Sequence, residues 1–199
     1  PKPENITAVY LNGIEYQETD NNSTSNISSV TETVHIKPIM PEDIKPIFSK
    51  EMPVICAKPG SLITTPYYTN NPDGLIICAN IERHTASGRI GSSYVKGFNI
   101  KNGAVAQTIG HDSHNITVMG DNNADMALAV NSLGINGGIA VVQNGKTLAK
   151  LTLEVGGIMS ANPYRQVIND YKKITDAINK ISTDDAGSLL MILSFLSLI

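Results

Sequence analysis

The chain has 199 residues, of which 41% are hydrophobic and 17% charged, with a formal net charge of −3. That length fits one ordinary domain, and the apolar fraction is too high for a disordered chain. Without a basic excess, a dedicated nucleic-acid binder is disfavoured.

Residues 6–11, Asn12-Gly13 and residues 14–16 read as strand, tight turn, strand, because Asn-Gly accepts the positive φ of a primed hairpin. The stretch 20–26 holds no apolar residue and reads as a linker. Residues 1–30 are thus expected as a small appendage that pairs with something else, and residues 31–199 as the main domain. Residues 40–44 look like a turn into a short helix. Pro53, Pro59, Pro66 and Pro72 cut residues 50–73 into brief extended pieces. Residues 75–81 form a continuous apolar run, expected as a strand buried on both faces, and a second strand is expected at about 94–100. Residues 104–109 read equally as helix or strand, and 116–119 alternate like a strand.

Further on, Asp121, Asn122 or Asn123 can cap a helix bearing Met126, Val130 and Leu133, ended by Gly134. Residues 139–143, Asn144-Gly145 and residues 146–153 carry the strongest hairpin signal. Asn162 and Pro163 are expected as N-cap and first-turn proline of a helix whose apolar face is Val167, Tyr171, Ile174, Ile178 and Ile181. The apolar run 189–199 is shorter than the ~20 residues of a membrane span and is expected as a buried strand or core helix. Its abrupt stop points to an excised domain or a truncated relative of a longer protein. No export signal opens the sequence, so a reducing cytoplasm is expected, with Cys56 and Cys78 as buried free thiols. Strands and helices mix without regular alternation. The expected fold class is α+β, a mixed sheet with packed helices preceded by a small β-hairpin.

Chemistry concentrates in two places. The pentapeptide His111-Asp112-Ser113-His114-Asn115 lies between two apolar segments, where packing does not ask for it. In extended geometry it sends Asp112 and His114 to one side and His111, Ser113 and Asn115 to the other. It offers two ligands where a metal site wants three or four, and no H-x-H, H-E-x-x-H or C-x-x-C motif completes it. A Ser–His nucleophile pair lacks its elbow motif here. A hydrogen-bonded network shaping a strand end or interface remains open, as does a wall touching a ligand or partner. The second place is Glu82-Arg83-His84 at the end of the buried strand. It reads as a solvated turn with an internal Glu–Arg pair, or as a strand-end site. Gly88 and Gly91 around Arg89 mark a turn, and Gly156-Gly157 reads as structural.

These segments form a series. Glu82-Arg83-His84 with Ser87-Gly88-Arg89 is followed by Val95-Lys96-Gly97-Phe98, Gly103-Ala104-Val105-Ala106 and His111-Asp112-Ser113-His114-Asn115. Residues 125–131, 137–145 and Gly157-Ile158-Met159-Ser160 continue it. In order and spacing the series resembles the C-terminal domain of microbial adenine deaminase, from roughly residue 31 onward. The opening hairpin is similar to the strand pair that follows the catalytic barrel in that amidohydrolase group. Thr85-Ala86 stands where the family more usually has His-Gly.

The resemblance implies hydrolysis of adenine to hypoxanthine and ammonia in purine salvage, with manganese or iron held in a β/α barrel that this chain lacks. It therefore implies no catalytic residue, metal ligand or cofactor within the chain, and no activity from the chain alone. His111, Asp112, Ser113, His114, Asn115, Glu82, Arg83 and His84 become candidate substrate or interface residues, with His111 through Asn115 placed at the barrel mouth or a subunit interface. The implied partners are adenine, the barrel domain and further copies of the chain, with no nucleic acid and no membrane. The alternative is a stand-alone binding or scaffolding module derived from the same domain. A third reading, a small independent metallohydrolase, predicts stoichiometric metal in the purified polypeptide.

Overall fold

The computed structural model describes residues 8, 10–15, 28–46, 51–58 and 61–198. Strands β1 (Tyr10–Leu11) and β2 (Ile14–Glu15) pair through Asn12 and Gly13, both at positive φ, as Asn-Gly chemistry requires. The residues of the expected linker lie outside the described residues.

The main body is a sheet of eight strands. They are β3 (Met52–Cys56), β4 (Thr65–Thr69), β5 (Ile76–Ile81), β6 (Ile90–Lys96), β7 (Gly103–Gln107), β8 (Ile116–Gly120), β9 (Gly138–Gln143) and β10 (Lys146–Thr152). Their order across the sheet is β10-β9-β7-β8-β5-β6-β3-β4. Every neighbouring pair is antiparallel except β3 and β6. Three helices, α1 (Asn123–Ser132), α2 (Tyr164–Ile181) and α3 (Ala186–Phe195), complete an α+β fold.

Period-two alternation divides the core between the two faces of the sheet. Ala79, Ile81, Ala104, Ala106, Ile116, Val118, Ala140 and Val142 pack with Met126, Ala129, Val130 and Leu133 of the α1 segment. Ile76, Cys78, Val105, Met119, Ile139 and Val141 pack on the other face with Ile174 and Ile178 of α2 and Leu189 and Leu193 of α3. Each large side chain so buried contributes about 1.5–3 kcal/mol, which explains why the central strands are apolar on both faces. Burial also pushes the Cys78 thiol up to about 12, whereas Cys56 is only half-buried, short of the expectation.

Several boundaries differ from the sequence reading. Of residues 104–109, those up to Gln107 are settled as strand β7 by pairing, since β8 and β9 flank it on both sides. The strand expected at 94–100 starts earlier, because Ile90 to Val95 pair with β5. It ends at Gly97, whose φ of +113° puts any Cβ on the carbonyl of Ala57. The terminal apolar run is helix, with the Asp185 carboxylate accepting the Ser188 N–H as N-cap. Asn122 caps α1 and Gly134 follows it at positive φ, both as expected. Pro163, not Asn162, occupies the N-cap position of α2, because Asn162 is turned toward Ser160 and Glu154. Only the second half of the α2 apolar face is buried. Val167 is half-buried and Tyr171 is exposed.

Candidate functional site

Antiparallel pairing brings the ends of β5, β7 and β10 and the starts of β6, β8 and β9 to one end of the sheet. The loops leaving these strands carry both candidate clusters and the Gly156-Gly157 turn. The extended segment that begins near Ser28 crosses the same end, where Gly156 N–H donates to Val30 O and Val34 N–H to Ile135 O.

Arg83 sits at the centre of these connections and is 1% exposed. Its Nε donates to His114 O (2.6 Å), Nη1 to Thr33 O (2.9 Å) and Thr33 Oγ1 (2.8 Å), and Nη2 to Gly156 O (2.8 Å). The guanidinium lies against Gly157, where a Cβ would come within 3.0 Å of both terminal nitrogens. Gly157 also has a φ of +76°, so glycine is required there twice over. Burial lowers the Arg83 pKa, yet a guanidinium keeps its charge in a protein and its planar fork of donors suits several carbonyls at once. The arrangement joins four segments distant in sequence.

The internal Glu–Arg pair expected from the sequence is therefore corrected, because no carboxylate pairs with Arg83 among the described residues. Glu82 instead closes its own loop. Oε1 accepts the N–H groups of His84 (2.6 Å) and Thr85 (2.8 Å). Oε2 accepts the Ser87 hydroxyl (2.6 Å), the Thr85 hydroxyl (2.9 Å) and the Ser87 N–H (3.2 Å). These donors, the Ser87 hydroxyl foremost, hold the Glu82 carboxyl well below the usual carboxylate range.

The pentapeptide is not extended either. Asp112 (φ +61°) and His114 (φ +47°) both lie in the left-handed region, so the two-sided alternation does not hold. Ser113 N–H donates to His111 O within a tight loop. His111 faces outward, 3.2 Å from the Asp112 carboxylate, with its ring 4.8 Å from that of Phe195. His114 Nδ1 lies 3.4 Å from the Gly110 N–H. His84 Nε2 lies 2.8 Å from Ser113 O, which brings the two clusters into contact. Asn115 Oδ1 is buried without a hydrogen-bond partner. Asn115 also borders an open depression of about 600 Å³, together with Asn80, Glu82, Arg89 and Ser197.

Thr33 and Thr108 were not singled out in the sequence. Thr108 Oγ1 donates to Gly157 O and accepts the Gly138 N–H (2.8 Å), tying the glycine turn to the start of β9. Neither threonine carries a sequence signal, because the Thr108 hydroxyl meets backbone atoms of remote loops and that of Thr33 meets Arg83, 50 residues away. Among the described residues, no three His, Cys, Asp or Glu side chains gather as a metal site would require, so this donor set does not fit manganese or iron. No helix of the described residues is long and apolar enough to cross a membrane. The exposed groups at this end can accept and donate hydrogen bonds to a docked surface or ligand. Arg83 and Glu82 are committed to holding the loops in place.

Residues 63–199 match the family described as the adenine deaminase C-terminal domain. The adenine deaminase of Thermosipho melanesiensis is 39% identical over 162 residues, covering 75% of this chain and 28% of that protein. That of Nitratidesulfovibrio vulgaris is 37% identical over 185 residues, covering 85% and 32%. That of a Dehalococcoides mccartyi strain is 37% identical over 175 residues, covering 80% and 29%. The chain thus spans under a third of the length of these relatives. The family model takes in β4 to α3, including Arg83, the pentapeptide loop and Gly157 at one sheet end, and this chain belongs to the adenine deaminase C-terminal domain family.

Proposed function

We propose that the chain serves an adenine deaminase as its C-terminal domain, contributing a preshaped surface to an enzyme that hydrolyses adenine to hypoxanthine and ammonia. The observation that carries this reading is the single sheet end at which Arg83 locks the loops of both candidate clusters. His84, His111 and Ser113 stay exposed on that end, and Val30, Ile135 and Met159 add exposed apolar surface on the segments bonded to it. Exposed apolar groups ringed by polar ones mark interaction surfaces. In this reading the partner is the barrel domain, and manganese or iron bound there supplies an activated water. The residues of this chain bind and orient. The cytoplasm and purine salvage are the setting, and self-association of the assembled enzyme follows from the same exposed faces.

The test is ammonia release from adenine. The chain with added manganese should release none. A Thermosipho melanesiensis enzyme cut before the segment matching this domain should lose turnover, and should regain part of it when this chain is added. Turnover by the isolated chain, or full turnover by the shortened enzyme alone, would overturn the proposal. Within a complete enzyme, the change matching His114→Ala should lower turnover, since it alters the loop that Arg83 clamps.

A further inference from the structure

Four Asn-Gly dipeptides occur in the chain, at Asn12, Asn102, Asn136 and Asn144. The deaminase reading gives none of them a chemical role. Such pairs share a covalent chemistry of their own. The glycine nitrogen loses its proton and attacks the asparagine Cγ, forming a C–N bond. The Cγ–Nδ2 bond breaks and ammonia leaves, giving a five-membered succinimide. Water then opens the ring at either carbonyl to yield aspartate or isoaspartate. No oxidant is needed, and the sum is water in and ammonia out. The step requires a free glycine N–H and a side-chain carboxamide able to swing onto it.

Three of the four sites deny one or both conditions. Gly103 N–H donates to Asp121 Oδ1 (3.0 Å), while Asn102 N–H donates to Asp121 Oδ2 (2.5 Å). Gly145 N–H donates to Asp125 Oδ1 (2.7 Å), while Asn144 N–H donates to Asp125 Oδ2 (3.0 Å). A glycine amide held by a carboxylate is stabilised as N–H, the form that does not attack. At the third site the Asn136 carboxamide accepts the Glu32 N–H (3.2 Å). Gly137 is buried there, and any added Cβ would come within 2.8 Å of Thr108 Oγ1.

Asn12-Gly13 has neither restraint: among the described residues no carboxylate holds the Gly13 N–H and no backbone amide holds the Asn12 carboxamide. Both residues are exposed, and nothing lies within 4 Å of a Cβ built on Gly13. A two-residue primed turn is closed by its flanking pair, Leu11 and Ile14, and does not use the N–H of its second central residue. Among the described residues the hairpin pairs two residues on each strand, and so short a ladder opens to the attacking geometry at little cost. We propose that Asn12-Gly13 is the deamidation site of this chain among its four Asn-Gly dipeptides. Isoaspartate there adds a methylene to the main chain and a negative charge to the turn, which removes the primed geometry and unfastens β1 from β2.

Incubating the purified chain at mildly alkaline pH, with peptide mapping by mass spectrometry over time, tests this. The product should appear at residue 12 as an early- and a late-eluting form, aspartate and isoaspartate. Asn102, Asn136 and Asn144 should react roughly tenfold more slowly or less, as residues opened only with the core do. Asn12→Gln should remove the main product and leave the rest unchanged. Unfolding the chain in urea should bring all four sites to similar rates. Comparable product at Asn102 or Asn144 in the folded chain would overturn the proposal. So would an unmodified Asn12 when a free Asn-Gly peptide has fully converted.

Discussion

The two ends of the sheet meet the same difficulty with opposite charge. At the turn end, carboxylates gather backbone N–H groups. Asp121 takes those of Asn102 and Gly103, and the buried Asp125 those of Asn144 and Gly145. At the loop end, the Arg83 guanidinium gathers backbone carbonyls from Thr33, His114 and Gly156. Short turns present their amides close together, within reach of an aspartate one strand away. Long loops present carbonyls far apart, which a branched cation on a long stem can span. At the acidic end Asp125 is buried, and the exposed Asp121 is committed to two backbone amides. The end held by the cation keeps His84, His111 and Ser113 in the open. A domain can therefore be rigid at both ends and keep imidazoles exposed at one, when the rigidifying group is buried beneath its loops.

That contrast can be broken by substitution. Arg83→Met strands three buried carbonyls and should cost about 3–5 kcal/mol in urea unfolding, with faster hydrogen exchange in the loops around 33, 114 and 156. Arg83→Lys should recover only part, since a point charge cannot reach all three acceptors. Unchanged stability in Arg83→Met would remove the brace from the account. Asp125→Ala should cost somewhat less, about 2–3 kcal/mol, and its exchange changes should be confined to the Asn144-Gly145 turn. Loosening at the pentapeptide in this variant would show the two ends to be one cooperative unit.

Gly157→Ala places a Cβ against the guanidinium at positive φ and should cost about 1–3 kcal/mol, read as a lowered melting temperature. The smallest effect belongs to Glu82. Its carboxyl is held below the ordinary value of about 4.3, so its contribution is complete above that pH. The contribution is lost as pH falls through the lowered value. A carbon-detected NMR titration should find Glu82 still ionised about one pH unit below the ordinary glutamate value. Glu82→Gln should flatten the acid limb by lowering loop stability at neutral pH, leaving stability at low pH nearly unchanged. A Glu82 that titrates at the ordinary glutamate value of about 4.3 would contradict the loop geometry.

Much of this was legible from local pattern. The alternation and apolar runs of β5, β8 and β9, the Asn122 cap, Gly134 and the Asn144-Gly145 hairpin are short-range features, decided by φ preferences and side-chain period. Residues 104–109 were ambiguous because small apolar residues suit either state, and β8 and β9 made them strand. The candidate clusters were visible as polar interruptions between apolar segments. Their geometry was not. The left-handed turns at Asp112 and His114 follow from how the loop is clamped, and the composition had suggested an extended run.

By itself, the amino-acid sequence determined the α+β class, the two-faced burial of the central strands and the family to which the chain belongs, because periodicity and motif order survive in one dimension. Tertiary structure alone decided that Arg83 has carbonyl partners and no carboxylate, and that Glu82 serves its own loop. The reason is that most of the partners of both side chains are main-chain atoms. Every residue has such atoms, so no residue type marks them, and only the fold says which ones come within reach.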